Sequence, residues 1–138
     1  MADTGYNWDA AWAAMQKGAG DWTADALADN GTETSDATSL DGKAAMEVSI
    51  AAVEDNTGAI DGVCTVYVLG DVDGTNYEET TTASYSFTFT PVQNDTVYVR
   101  FRLLGSDFSS IKLAILNEGG QELAMTVKIR YATIPVAS

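Results

Sequence analysis

Two groups of oxygen-bearing side chains come closest to chemistry in this sequence. Glu78 and Glu79 are adjacent carboxylates, the pair that glycoside hydrolysis places on either side of one bond. Neighbours on a strand point to opposite faces, so without help from a turn these two cannot flank one bond, and they read as a solvated edge. The run Asp71-Val72-Asp73-Gly74-Thr75-Asn76-Tyr77-Glu78 gathers hard oxygens around a glycine, as a calcium loop does. Its spacing matches no EF-hand, and a hairpin turn built on Asp-Gly accounts for the same residues. The chain has no histidine, which removes Ser-His and Cys-His nucleophile pairs and the usual zinc ligands together. Nor is there a glycine-rich phosphate loop of Walker or Rossmann spacing. The expectation is a protein that is not an enzyme and has no catalytic residues, metal or cofactor.

Charge and aromatic side chains suit binding better. Seven basic against twenty acidic residues give a net charge of -13 and a pI near 4.1, so the field of the protein repels phosphate backbones and nucleic acid is an unfavourable partner. Five of the seven bases, Arg100, Arg102, Lys112, Lys128 and Arg130, fall after Thr96. Arg100 and Arg102 share one face of a strand, as do Lys128 and Arg130 on theirs. If those strands lie in one sheet, they form a basic stripe able to steer docking on an acidic partner, or else a solvated face paired to local acids. All three tryptophans, Trp8, Trp12 and Trp22, together with Tyr6, fall in the first 22 residues. They read either as a cap on the core or as anchors for a partner, since Trp is enriched at interface hot spots.

The elements that must position these residues are strands. From Lys43 onward apolar residues alternate with polar ones, the mark of strands buried on one face. Met46, Val48, Ile50 and Ala52 oppose Glu47 and Ser49, while Gly62 to Gly70 is apolar on both faces and reads as a central strand. Tyr85, Phe87 and Phe89 alternate with Ser and Thr up to Pro91, which ends the strand. Val97 to Leu103, Ile111 to Ile115 and Leu123 to Tyr131 repeat the pattern, and a one-residue slip in the last would bury Lys128 and Arg130. Turn signals such as Asp41-Gly42, Asn56-Thr57-Gly58 and Asn117-Glu118-Gly119-Gly120 separate the strands at spacings too short for crossover helices. Six or seven strands in this length predict an all-β, antiparallel sandwich of jelly-roll type over residues 41–138.

Residues 1–40 differ in composition and read as an N-terminal arm. Trp8, Trp12 and Met15 have a spacing that would put them on one stripe of a short helix ended by Gly18 and Gly20; an extended arm is the alternative. The lone Cys64 sits in an apolar run and reads as a small buried side chain. The first twenty residues lack the pattern of a signal peptide, and no apolar run is long enough to span a membrane. The expectation is synthesis in a cytosol and no membrane partner.

The chain resembles the head decoration, or cement, proteins of tailed bacteriophages. The resemblance rests on the arm Asn7-Trp8-Asp9-Ala10-Ala11-Trp12, the entry Thr38-Ser39-Leu40-Asp41-Gly42-Lys43, and a Ser/Thr-rich sandwich closed by residues 111–120 and 125–131. It implies a structural virion protein, made in the host bacterial cytoplasm, that adds to the outside of a capsid lattice. There it would bridge subunits of the major capsid protein, often as a trimer, with its arm along the shell. On that reading Tyr6, Trp8, Trp12, Trp22, Arg100, Arg102, Lys128 and Arg130 carry the contact, and the sandwich folds without its arm. A carbohydrate-binding or host-adhesion module using Tyr77, Tyr85 and Tyr98, or a tail or baseplate subunit bound to another virion protein, is the competing expectation.

Overall fold

A computed structural model describes residues 6–54 and 58–134. The alternating stretches form six long strands: β8 (Ala45–Val53), β9 (Cys64–Gly70), β10 (Tyr85–Phe89), β11 (Thr96–Leu104), β12 (Ser110–Asn117) and β13 (Leu123–Thr133). Seven short ones precede them: β1 (Asn7–Trp8), β2 (Ala13–Ala14), β3 (Gln16–Lys17), β4 (Gly20–Asp21), β5 (Asp25–Leu27), β6 (Thr32–Thr34) and β7 (Thr38–Ser39). All strand pairs are antiparallel, and the described residues contain no helix. The all-β sandwich expected from the alternation is therefore present. Of its turn signals, Asn56-Thr57 lies outside the described residues.

The six long strands divide between two sheets. β13, β8 and β11 lie side by side in one, and β12, β9 and β10 in the other. The alternate apolar residues of these strands turn inward, so Met46, Val48, Ile50, Val66, Val68, Ile111, Leu113, Ile115, Leu123, Met125 and Val127 meet in one fully buried core. β9, apolar on both faces, is central in its sheet between β10 and β12. At the open side of the sandwich Phe87 and Phe101 close the core with an edge-to-face contact, ring centroids 4.9 Å apart.

The first forty residues close the other side. Trp8 pairs with Ala132, the Asp9 N–H donates to the Tyr131 carbonyl, Ala13 and Ala14 pair with Ile129 and Lys128, and the Met15 N–H donates to the Val127 carbonyl. After a small hairpin the chain rejoins β13 at Trp22, whose carbonyl accepts from the Val127 N–H, and continues as β5 opposite Leu123 to Met125. It then crosses to the second sheet, where β6 and β7 pair with β12. Asn117, fully buried, holds the crossing: its amide donates to the Leu27 and Gln121 carbonyls and accepts from the Gly119 N–H. Of the two sequence alternatives for this segment, the extended one is observed. The change in composition near residue 40 marks no break in hydrogen bonding, because both sheets take edge strands from before it.

The hairpin of β3 and β4 turns at Gly18 and Ala19, with φ of 61° and 62°. Both backbone N–H groups donate to the Asp36 carboxylate at 2.9 Å, and the Lys17 ammonium pairs with both Asp25 and Glu33, fastening the hairpin to β5 and β6. An L side chain at Ala19 strains this left-handed backbone, whereas glycine fits it at some entropic cost in the unfolded chain. Ala19→Gly is therefore expected to stabilise by about 0.5–1 kcal/mol. A thermal melt at or below the parent midpoint would contradict the turn geometry.

Candidate functional site

The outer face of the first sheet collects most of the residues singled out from the sequence. β8 runs between β11 and β13, so residues in register fall into rows across three strands. Arg102, Glu47 and Arg130 form one row, Arg100, Ser49 and Lys128 the next, and Tyr98, Ala51 and Thr126 the third. The two basic pairs are thus on one sheet and one face, as the stripe required, but a carboxylate stands between two of them. Four cations and one carboxylate leave this face at +3, on a chain whose total is -13.

Glu47 is only 4 % exposed. One of its oxygens accepts from the Arg130 Nη2 and Nε at 2.7 and 2.8 Å, and the other from the Arg102 Nε at 3.1 Å. Burial pushes the Glu47 carboxyl upward, but the hydrogen bonds and charges of Arg130 and Arg102 outweigh it and hold the group below the ordinary glutamate value. The tryptophans roof this triad. The Arg102 and Arg130 guanidinium carbons lie 4.8 and 5.3 Å from the Trp8 ring centre, and that of Arg130 lies 4.7 Å from the Trp12 ring, within cation–π range. Tyr6 packs edge-on against Trp8 at 6.2 Å.

Beside the roof is a shallow cleft of about 410 Å³ lined by Trp12, Ser49, Tyr98 and Arg100. Trp12 is half-buried while Tyr98 is 73 % exposed. Arg102 and Arg130 are committed to Glu47, whereas Arg100 and Lys128 have no ion pair, hydrogen bond or ring contact among the described residues. The cleft can therefore take a partner that brings an acceptor to Arg100 and an apolar surface to Trp12 and Tyr98.

Other residues singled out from the sequence lie elsewhere. Trp22 is fully buried in the core with Met15 and Leu27, away from Trp8 and Trp12. Tyr77 and Tyr85 belong to the second sheet and its loop: the Tyr77 hydroxyl shares a 2.8 Å hydrogen bond with Ser110 under Lys112, and Tyr85 stands edge-on to Phe108. With Tyr98 on the other sheet, the three tyrosines form no common platform. In the acidic loop, Asp71 accepts from the Asp73 and Gly74 N–H groups and Asp73 from those of Thr75 and Asn76. The backbone hydrogen bond from Asn76, then its side chain and the Thr75 backbone, lower the Asp73 carboxyl. Glu78 accepts from Ser84 and from the Gly70 N–H, and hydrogen bonding to the Ser84 hydroxyl first of all holds it below its ordinary value. These carboxylates hold a turn together, and no group of three potential metal ligands occurs among the described residues. Burial pushes the Cys64 thiol up to about 12.

The sequence placed Glu47 and Ser49 outward on their strand but did not reveal their role in the face. Their signal was the polar half of the alternation in β8, which acquires meaning only once β11 and β13 are known to flank that strand. No protein-family model and no curated protein matches the chain.

Proposed function

We propose that this chain is a structural binding protein that docks through the outer face of its first sheet onto an assembled protein surface. The observation that carries the reading is the pairing of Trp12 and Tyr98 with the uncommitted cations Arg100 and Lys128 on one rigid face of an otherwise acidic body. Trp, Tyr and Arg dominate interface hot spots, and an isolated cationic patch orients approach to an acidic surface. The resemblance in layout to head decoration proteins makes the outside of a phage capsid lattice the proposed surface and the major capsid protein the proposed partner. Residence there is on the virion, and repetition over a symmetric shell converts modest contacts into avidity. A trimeric state fits three-fold lattice positions, and light scattering measures it.

The test is co-sedimentation with assembled shells of the cognate phage. Trp12→Ala and Arg100→Glu are each expected to weaken binding at least about tenfold, and added salt is expected to weaken it further. Wild-type protein that leaves the shells bare, or variants that bind them unchanged, would end this reading. The aromatic walls of the cleft favour a second reading, a sugar stacked between Trp12 and Tyr98. Glycan-array binding lost in Tyr98→Ala would select it. Binding to isolated tails rather than shells would select a tail or baseplate role.

A further inference from the structure

β11 ends its sheet: it pairs with β8 on one side and with no described strand on the other. Two hydrogen bonds at its ends reveal which of its backbone groups face outward. The Gly105 N–H donates to the Ala44 carbonyl, and the Glu54 N–H donates to the Asp95 carbonyl, so the backbone faces β8 at positions 95 and 105. An antiparallel ladder repeats this every second residue. Val97, Val99, Phe101 and Leu103 therefore bond to β8, and Tyr98, Arg100 and Arg102 hold their N–H and C=O groups toward the free edge.

Natural edges are guarded by proline, bulges, inward charge or shortness. β11 has nine residues, no proline, and unbroken register from Thr96 to Leu104. Its guard is the charge of Arg100 and Arg102. A second copy laid antiparallel about the strand centre would bring Arg100 against Arg100 and two bodies of -13 together, and like charges directly opposite destabilise a strand pair. The same guanidinium favours a strand bearing carboxylates. On its far edge this sheet already accepts an extended segment, the leader along β13.

We infer that the β11 edge adds a strand: an extended segment of another polypeptide, acidic at alternate positions, pairs with Tyr98, Arg100 and Arg102 and sets a carboxylate on Arg100. This deepens the docking reading and rests on it, since the added strand would border the Trp12–Tyr98 cleft. The probe is a capped peptide as long as β11 that alternates glutamate with valine, and the readout is amide hydrogen exchange by NMR. At saturation the peptide is expected to slow exchange of the Tyr98, Arg100 and Arg102 amides at least about tenfold. A lysine–valine peptide is expected to do nothing, and Arg100→Glu to reverse the preference. Absence of binding at millimolar peptide, or binding with those three amides exchanging at their free rate, overturns the inference. So does a dimer whose own contact protects the same amides. If peptide fails at the edge while Trp12→Ala still abolishes shell binding, the docking reading stands alone. If wild-type protein ignores shells but the acidic peptide protects the edge, that reading falls and the strand-adding edge remains.

Discussion

Trp22→Ala is expected to destabilise the protein by about 3–5 kcal/mol, a large share of the roughly 5–15 kcal/mol that holds a domain of this kind folded. Trp22 has no solvent exposure, packs into the same core as Met15 and Leu27, and ties the leader to β13 through the bond from the Val127 N–H to its carbonyl. Emptying that site leaves a cavity where the leader meets the sheet, and the short strands beside it would be left to their backbone hydrogen bonds and the polar contacts of Lys17 and Asp36. Urea unfolding at neutral pH measures the loss; less than about 1 kcal/mol would show that the leader contributes little to the core. Trp12→Ala, at a half-buried surface ring, is expected to cost no more than about 1 kcal/mol, so the two tryptophans separate stability from binding. From the same packing, a chain lacking the arm is expected to lose stability rather than to fold unaided. Removal of residues 1–39 would strip β13 and β12 of their edge partners and take Met15, Trp22 and Leu27 out of the core.

Why β8 to β13 were legible and the leader was not follows from where the information lies. Burial of one face imposes a period of two on each long strand, and that period is written in consecutive residues such as Leu123, Met125, Val127, Ile129 and Tyr131. The leader has strands of two or three residues and is held by backbone hydrogen bonds to β13 and β12, which any side chain permits. Trp8, Trp12 and Met15 therefore matched a helical stripe as well as an extended path. In the observed path the left-handed turn at Gly18 and Ala19 returns the chain to β13, with Met15 before it and Trp22 after it both in the core, while Trp8 and Trp12, earlier in the leader, stay half-buried on the surface. The basic stripe was half legible for a related reason. Local alternation put Arg100 with Arg102 and Lys128 with Arg130, but only the pairing of both strands with β8 sets Glu47 between them. Which cations are neutralised and which are free is a property of that pairing.

Glu47→Gln tests this division of labour directly. The glutamate is nearly buried and bridges two arginines, and an ion pair removed from one side leaves cations that must find new partners. Arg102 is 59 % exposed and can turn to water, whereas Arg130, at 21 %, lies under Trp8 and Trp12. Most of the loss therefore comes from Arg130, and about 1–3 kcal/mol at neutral pH is expected. The pH dependence has a definite sign. The carboxyl lies lower in the folded chain than its ordinary value of 4.5, so its contribution is complete above that value and fades as the pH falls through the folded one. Urea unfolding at pH 7 should then show the full difference between parent and Glu47→Gln, and the difference should close progressively below about pH 4.5. A gap of constant size down to pH 3 would mean that Glu47 acts by shape and packing rather than by charge. Arg130 also carries both tryptophan rings, so freeing it loosens Trp12 at the mouth of the cleft. Glu47→Gln is accordingly expected to weaken shell binding even though it makes the face more positive, and tighter binding would show that charge alone governs docking.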